Sequence, residues 1–208
     1  MKYIKLNTNE SPFRPSETAR KYAQNAANSL ELYPDPECKT LSKLFAKTVG
    51  VPTECVLATN GSDEILNFAF MAFCDENHPA IFPDITYGFY PVFANLNGVP
   101  YSEIPLNDDF TINVEDYVGV NKTIFIANPN APTGLLLPLD MIEKIVSQNK
   151  DSVVLIDEAY IDFGGQSAVP LVQKYDNLIC VQTFSKSRSM AGARLGFAVA
   201  SEALISDL

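Results

Sequence analysis

Seven short apolar, β-rich runs recur along this chain, with segments of helical period between most of them, and that alternation restricts the fold more than any other feature. The runs are CVLATN from Cys55, PAIFP from Pro79, PYSEI from Pro100, TIFIAN from Thr123, SVVLID from Ser152, LICVQTF from Leu178 and RLGFAVA from Arg194. Between them, SDEILNFAFMAFC carries apolar residues at helical spacing behind Ser62 and Asp63. LDMIEKIVSQN does the same after Pro138, and TYGFYPVFANLNG closes on Gly98. This is the pattern of βαβ units around a mainly parallel sheet. The first fifty residues differ, being rich in Asn, Pro, Ser and Glu. They read as an arm with a helix, SETARKYAQNAANSL, then YPDP and a second helix, CKTLSKLFAKTVG.

Composition removes several classes of function. With 208 residues and 47% hydrophobic content the chain can bury a sizeable core. A net charge of -10 argues against nucleic acid or an anionic membrane as partner, because either needs a basic face. Fifteen basic residues still suffice for a local phosphate site. Cys38, Cys55, Cys74 and Cys180 have no metal-binding spacing and read as reduced thiols of a cytosolic protein. No apolar leader or membrane-spanning run is present, so a soluble, cytoplasmic protein is expected.

In an open α/β sheet, ligands sit beyond the carboxyl ends of the strands, so those ends locate the candidate site. The first strand runs into TNGSDE, where Gly61 permits a tight turn and Ser62 and Asp63 open a helix able to hold an anion or simply to be capped. The second delivers Tyr87, which either stacks on a planar ligand or fills core. The fourth ends in NPNAPTG, the fifth in LIDEAY with Asp157, and the sixth in TFSKS. A carboxylate ending a buried strand needs a cation, a metal or a protonated ring nitrogen, unless it caps the next segment. Neither G-x-G-x-x-G nor G-x-x-x-x-G-K-[ST] occurs, and the lone His78, read as a surface residue, cannot build a metal site or a Ser-His-Asp triad. What remains is lysine-based covalent chemistry, with Lys186 as the amine and Arg194 as a cation in reach.

NPNAPTG, DEAY and TFSKSRSMAGARLGF, in that order and at those separations, resemble the fold-type I pyridoxal-5'-phosphate aminotransferases. LNTNESPF, YPDP and NGSDE make the chain most similar to the histidinol-phosphate aminotransferases among them. The resemblance implies a three-layer α/β/α sandwich with a mostly parallel seven-stranded sheet. It makes residues 51–208 the large, cofactor-binding domain, and residues 1–50 an arm and helices that contact the dimer partner and join the small domain. It also implies that Lys186 forms the Schiff base with pyridoxal 5'-phosphate and then moves the substrate's α-proton, that Asp157 pairs with the pyridine nitrogen, and that Tyr160 bonds the 3'-oxygen. Tyr87 would stack on the ring. The phosphate would be held by the Ser62 and Asp63 backbone, the Thr183 and Ser185 hydroxyls and Arg194, with Tyr33 of YPDP reaching the neighbouring subunit's phosphate in a homodimer.

This chain departs from the family's pattern at Ala131, where Asn is common, so either Asn130 takes over a contact to the 3'-oxygen or Tyr160 carries it alone. Family chains continue into a smaller C-terminal domain with the arginine that binds substrate carboxylate; this sequence ends before it, and that domain is expected to be absent. Arg188 has no role in the pattern and is expected to face solvent. The reaction implied is amino transfer between histidinol phosphate and 2-oxoglutarate (or glutamate) in histidine biosynthesis, with no metal. A threonine-phosphate decarboxylase, an aromatic aminotransferase, or a cofactor-binding or dimerisation module without turnover are the alternatives.

Overall fold

The computed structural model describes residues 4–208, so the first three residues of the 1–50 arm lie outside it. All seven runs form strands: β1 (Val56–Asn60), β2 (Ala80–Pro83), β3 (Tyr101–Ile104), β4 (Thr123–Ala127), β5 (Val154–Asp157), β6 (Leu178–Thr183) and β7 (Leu195–Val199). They make one sheet in the order β1-β7-β6-β5-β4-β2-β3. Only β7 runs against its neighbours, pairing antiparallel with both β1 and β6, while β2 to β6 are paired parallel. The reversal matters for the site. It sets the start of β7 beside the ends of the others, with Leu195 opposite Asn60 and Gly196 opposite Thr183.

Strand alternation divides the core into the two interfaces of an α/β/α sandwich. Ile124, Ile126, Val154, Ile156, Leu178 and Cys180 face one side, where Phe45 of α2 (Lys39–Val49) and Ile142, Ile145 and Val146 of α5 (Leu139–Gln148) cover them. Phe125, Leu155, Ile179 and Val181 face the other, against Ile65, Leu66, Ala69 and Phe70 of α3 (Ser62–Phe73) and Tyr90, Phe93 and Ala94 of α4 (Tyr90–Leu96). Because both faces are covered, the central strands run apolar through consecutive positions, Ile124–Ala127, Val154–Ile156 and Leu178–Val181, rather than at every second one. A sixth helix, α6 (Glu202–Asp207), was not anticipated; Ser201 caps it by accepting from Leu204 N–H, and Leu204 and Ile205 lean on the second core.

The expected boundary at residue 50 does not coincide with a break in packing. Phe45 stacks on Phe197 of β7 with centroids 3.8 Å apart and planes within 3°, so α2 belongs to the helical layer packed on the sheet. The separable part is earlier: α1 (Glu17–Ala26) buries none of its residues, and residues 4–10 are exposed.

Candidate active site

The carboxyl ends of β1, β4, β5 and β6, the reversed start of β7 and the N-terminal arm enclose a cavity of about 570 Å³. Ser62, Asp63, Tyr87, Asp157, Tyr160, Thr183, Ser185, Lys186 and Arg194 all line it. Asn130 and Tyr33 do not, for different reasons given below.

Asp157 is the last residue of β5 and shares the parity of Leu155, so its carboxylate points to the α3/α4 side. It is buried, with Oδ1 accepting from Ala159 N–H at 3.1 Å and Oδ2 from the Tyr90 hydroxyl at 3.3 Å. No lysine, arginine or histidine pairs with it among the described residues. Burial therefore pushes its pKa up to about 6, the two hydrogen bonds only partly offsetting the loss of water. Glu158, of opposite parity, is equally buried but spent on structure: it accepts from Ser167 Oγ (2.7 Å), Ala168 N–H (2.6 Å) and Gln182 Nε2 (2.9 Å). One carboxylate is closed off by three donors. The other is left facing a cavity with its charge uncompensated.

The opposite wall is built for an anion. Gly61 adopts φ +85° and precedes α3, whose first N–H groups at Ser62 and Asp63 have no partner within the helix. A Cβ on Gly61 would collide with the Arg194 guanidinium, and one on Gly196 would lie 2.5 Å from Gly61 C and Ser62 N. Both glycines thus let β7 and the helix start close up around Arg194. Thr183 and Ser185 share a hydroxyl bond of 2.9 Å on the same wall. Arg194 donates to Ala191 O at 3.2 Å and stands 3.8 Å from the Asp63 carboxylate, a half-exposed, loose pair that leaves its remaining donors free. Asp63 has a further use that the sequence did not disclose, since it accepts the Tyr87 hydroxyl at 2.8 Å and so fixes that ring beside the cavity.

Lys186 stands in the irregular segment after β6, with Nζ 5.6 Å over the Tyr160 ring and donating to Thr8 O at 2.9 Å. The arm reaches further into the site. Asn9 Nδ2 donates to Tyr160 Oη at 3.0 Å, and Ser189 Oγ bonds Ser11 Oγ at 2.8 Å. These contacts join residues about as far apart in sequence as the chain allows, and no local pattern signals them.

Two expectations need correction. Asn130 does not replace the missing asparagine at 131: its amide oxygen accepts from Thr86 Oγ1 (2.8 Å), and its nitrogen donates to Ile85 O (2.9 Å) and Thr133 Oγ1 (3.0 Å), so the side chain is consumed in holding two loops together. Ala131 itself lines the cavity and offers only a methyl group. Arg188 does not face solvent freely; it pairs with Asp162 and covers the Phe184 ring. Tyr33 is fully exposed and contributes nothing to the cavity of its own chain. His78 is an exposed loop residue beside Asp75, 3.0 Å away, all four cysteines are free, and no helix among the described residues is long and apolar enough to cross a membrane.

Comparison with known proteins follows this geometry. The family model for aminotransferase class I and II matches residues 1–208. The chain belongs to that family. Among curated members, the histidinol-phosphate aminotransferase of Brachyspira hyodysenteriae is 53% identical over 208 residues, spanning 99% of this chain and 59% of the relative. That of Lactococcus lactis subsp. cremoris is 50% identical over 206 residues, with 99% and 58% covered. This member of the family therefore spans about three fifths of the length of the curated relatives it matches. In fold it is similar to the histidinol-phosphate aminotransferase of Sinorhizobium meliloti solved with pyridoxal-5'-phosphate, with a TM-score of 0.89 at 22% identity, covering 96% of this chain and 56% of that one.

Proposed function

We propose that the cavity holds pyridoxal 5'-phosphate and that the chain takes part in amino transfer between histidinol phosphate and 2-oxoglutarate, in the cytoplasm and as a homodimer. The observation that carries the cofactor is Asp157, a buried carboxylate without a cation, facing a cavity whose far wall is a helix N-terminus with Arg194. A protonated pyridine nitrogen at one end and a phosphate dianion at the other answer both features. The choice of substrate rests on the two relatives that are half identical over nearly all of this chain and carry that name.

Pyridoxal 5'-phosphate supplies a carbonyl that captures amines and a ring that draws electron density from the substrate's α-carbon. This chain's residues do the rest. Asp157, buried without a cation of its own, would pair as the carboxylate with the protonated ring nitrogen and so keep the proton there. Tyr87, fixed through its hydroxyl to Asp63, covers one ring face. Tyr160 donates to the 3'-oxygen, a role that falls to it because Asn130 is occupied and Ala131 has no donor. Ser62 and Asp63 N–H groups, Thr183, Ser185 and Arg194 would hold the phosphate, and Lys186 Nζ would take the carbonyl carbon, its oxygen leaving as water, and once displaced would accept the proton from the substrate's α-carbon. Tyr33 serves the phosphate site of a second copy, the arm and helices of the 1–50 segment supplying contact to it. Residues 51–208, together with α2, act as the cofactor-binding domain.

The test is spectroscopic. Cofactor-loaded protein mixed with histidinol phosphate should pass from the carbonyl to the amine form of the cofactor, and 2-oxoglutarate should return it. Conversion by an aromatic amino acid but not by histidinol phosphate overturns the substrate assignment.

A further inference from the structure

Lys186 lies on neither strand nor helix, since β6 stops at Thr183 and β7 begins at Leu195. Its backbone is held by turn bonds alone, from Ser189 N–H to Lys186 O at 3.1 Å and from Met190 N–H to Phe184 O at 2.9 Å. Tyr160 sits on a second irregular segment, between β5 and the 3-10 turn Ile161–Phe163. Asp162 in that turn joins the two. Its Oδ2 accepts from the Ser187 hydroxyl and its Oδ1 from Arg188 Nη2 at 3.4 Å, and Arg188 Nε stands 3.2 Å from Oδ2 as an ion pair. The Arg188 guanidinium lies 4.3 Å from the centroid of Phe184, which packs in turn against Phe45 and Phe197. The residues two before, one after and two after Lys186 are thus bound into one fixture anchored in the core.

An ion pair with side chains 30% and 37% exposed contributes little by charge alone. This one differs in geometry. The guanidinium meets both Asp162 oxygens and lies over an aromatic ring, and its Nη1 is buried with no partner among the described residues. Arginine's planar fork allows that double engagement, and desolvation of part of the group makes Asp162 the one carboxylate that balances it. Removing Asp162 takes away both links between the Lys186 segment and the Tyr160 turn, and removing Arg188 leaves the Ser187 hydroxyl as the remaining bond to Asp162, in each case with the sheet beneath untouched.

We propose that Asp162 and Arg188 are positioning residues that set the Lys186 segment against the Tyr160 turn, so that the amine meets the cofactor's carbonyl in a fixed orientation. This rests on the cofactor reading above. It is tested with wild-type protein, Asp162→Asn, Arg188→Gln, the double variant, Lys186→Ala, and Glu143→Gln, which breaks the remote surface pair of Glu143 with Lys174. After addition of pyridoxal 5'-phosphate, the rate at which the visible band appears and the visible circular dichroism per bound cofactor are read, with the thermal midpoint of unloaded protein alongside. Asp162→Asn and Arg188→Gln should each slow capture about tenfold and weaken the dichroism. The double variant, which leaves no unpaired charge, should do no worse than the poorer single one, while Glu143→Gln shifts only the midpoint. Capture at the wild-type rate in both single variants, or losses that multiply in the double, overturns the pairing. A wild-type protein that gives no band, or a Lys186→Ala protein that gives the same band, overturns the cofactor reading instead and the pair's role with it.

Discussion

At the scale of single residues, Asp157 sets stability against function. In the unfolded chain it ionises near the ordinary value of 3.8, but in the folded chain it keeps its proton to about pH 6. Below about pH 4 both states are neutral and burial carries no charge penalty. As pH rises through 6 the folded state must carry a desolvated charge, so stability from this group is present at low pH and lost above it. Asp157→Asn should accordingly stabilise the cofactor-free protein by about 2–3 kcal/mol at about pH 7.5, the gain falling below half by about pH 4.5. Urea midpoints at the two pH values check this, and a variant less stable than wild type at the higher pH contradicts it. The same residue predicts that cofactor affinity falls as pH drops through 6 in wild type, a step missing in Asp157→Asn. Gly196 is a separate case. With Ser62 N only 2.5 Å from where a Cβ would lie, Gly196→Ala must push the backbone of β7 from the start of α3. A loss of about 2–3 kcal/mol and weaker phosphate retention should follow, read by denaturation and by titration with inorganic phosphate.

Elements show how much of this the sequence could disclose. The strands were legible because seven apolar runs of strand length, separated by capped helical segments, admit few other folds, and the site was legible because such a sheet gathers its carboxyl ends on one edge. Asp157 and Lys186 are visible in that way. Asn130 misled because its amide is used up by Thr86, Ile85 and Thr133, three groups that only the folded loops bring together. Arg188 was misjudged because its partner is 26 residues upstream on a different turn. α6 was overlooked as a short element, although Ser201 is an ordinary cap for it. The arm's reach to Lys186 and Tyr160 had no local signature at all. It carries its own prediction: because residues 4–10 are exposed, deleting residues 1–10 should leave the thermal midpoint within about 5 °C of wild type. With Thr8 O and Asn9 removed, Lys186 should acylate several-fold faster in cofactor-free protein, as peptide mass spectrometry would show. Unchanged acylation would mean that the arm does not shield the amine.

For the whole molecule, the first 33 residues present Ile4, Leu6, Phe13, Tyr22, Leu30, Leu32 and Tyr33 to solvent, and α1 buries no residue against its own chain. A ten-residue helix with no buried face is not stable by itself in water, so the proposed homodimer gives this segment the surface it lacks. Sedimentation should find a dimer that deletion of residues 1–33 converts to monomer; a monomer with the arm intact contradicts the shared site at Tyr33. All of these expectations depend on one amine. Incubating the protein with pyridoxal 5'-phosphate, reducing with borohydride and mapping the modified peptide should place a single stoichiometric label on Lys186, absent from Lys186→Ala. A label distributed over other lysines, or one that survives in Lys186→Ala, would contradict the account at its centre.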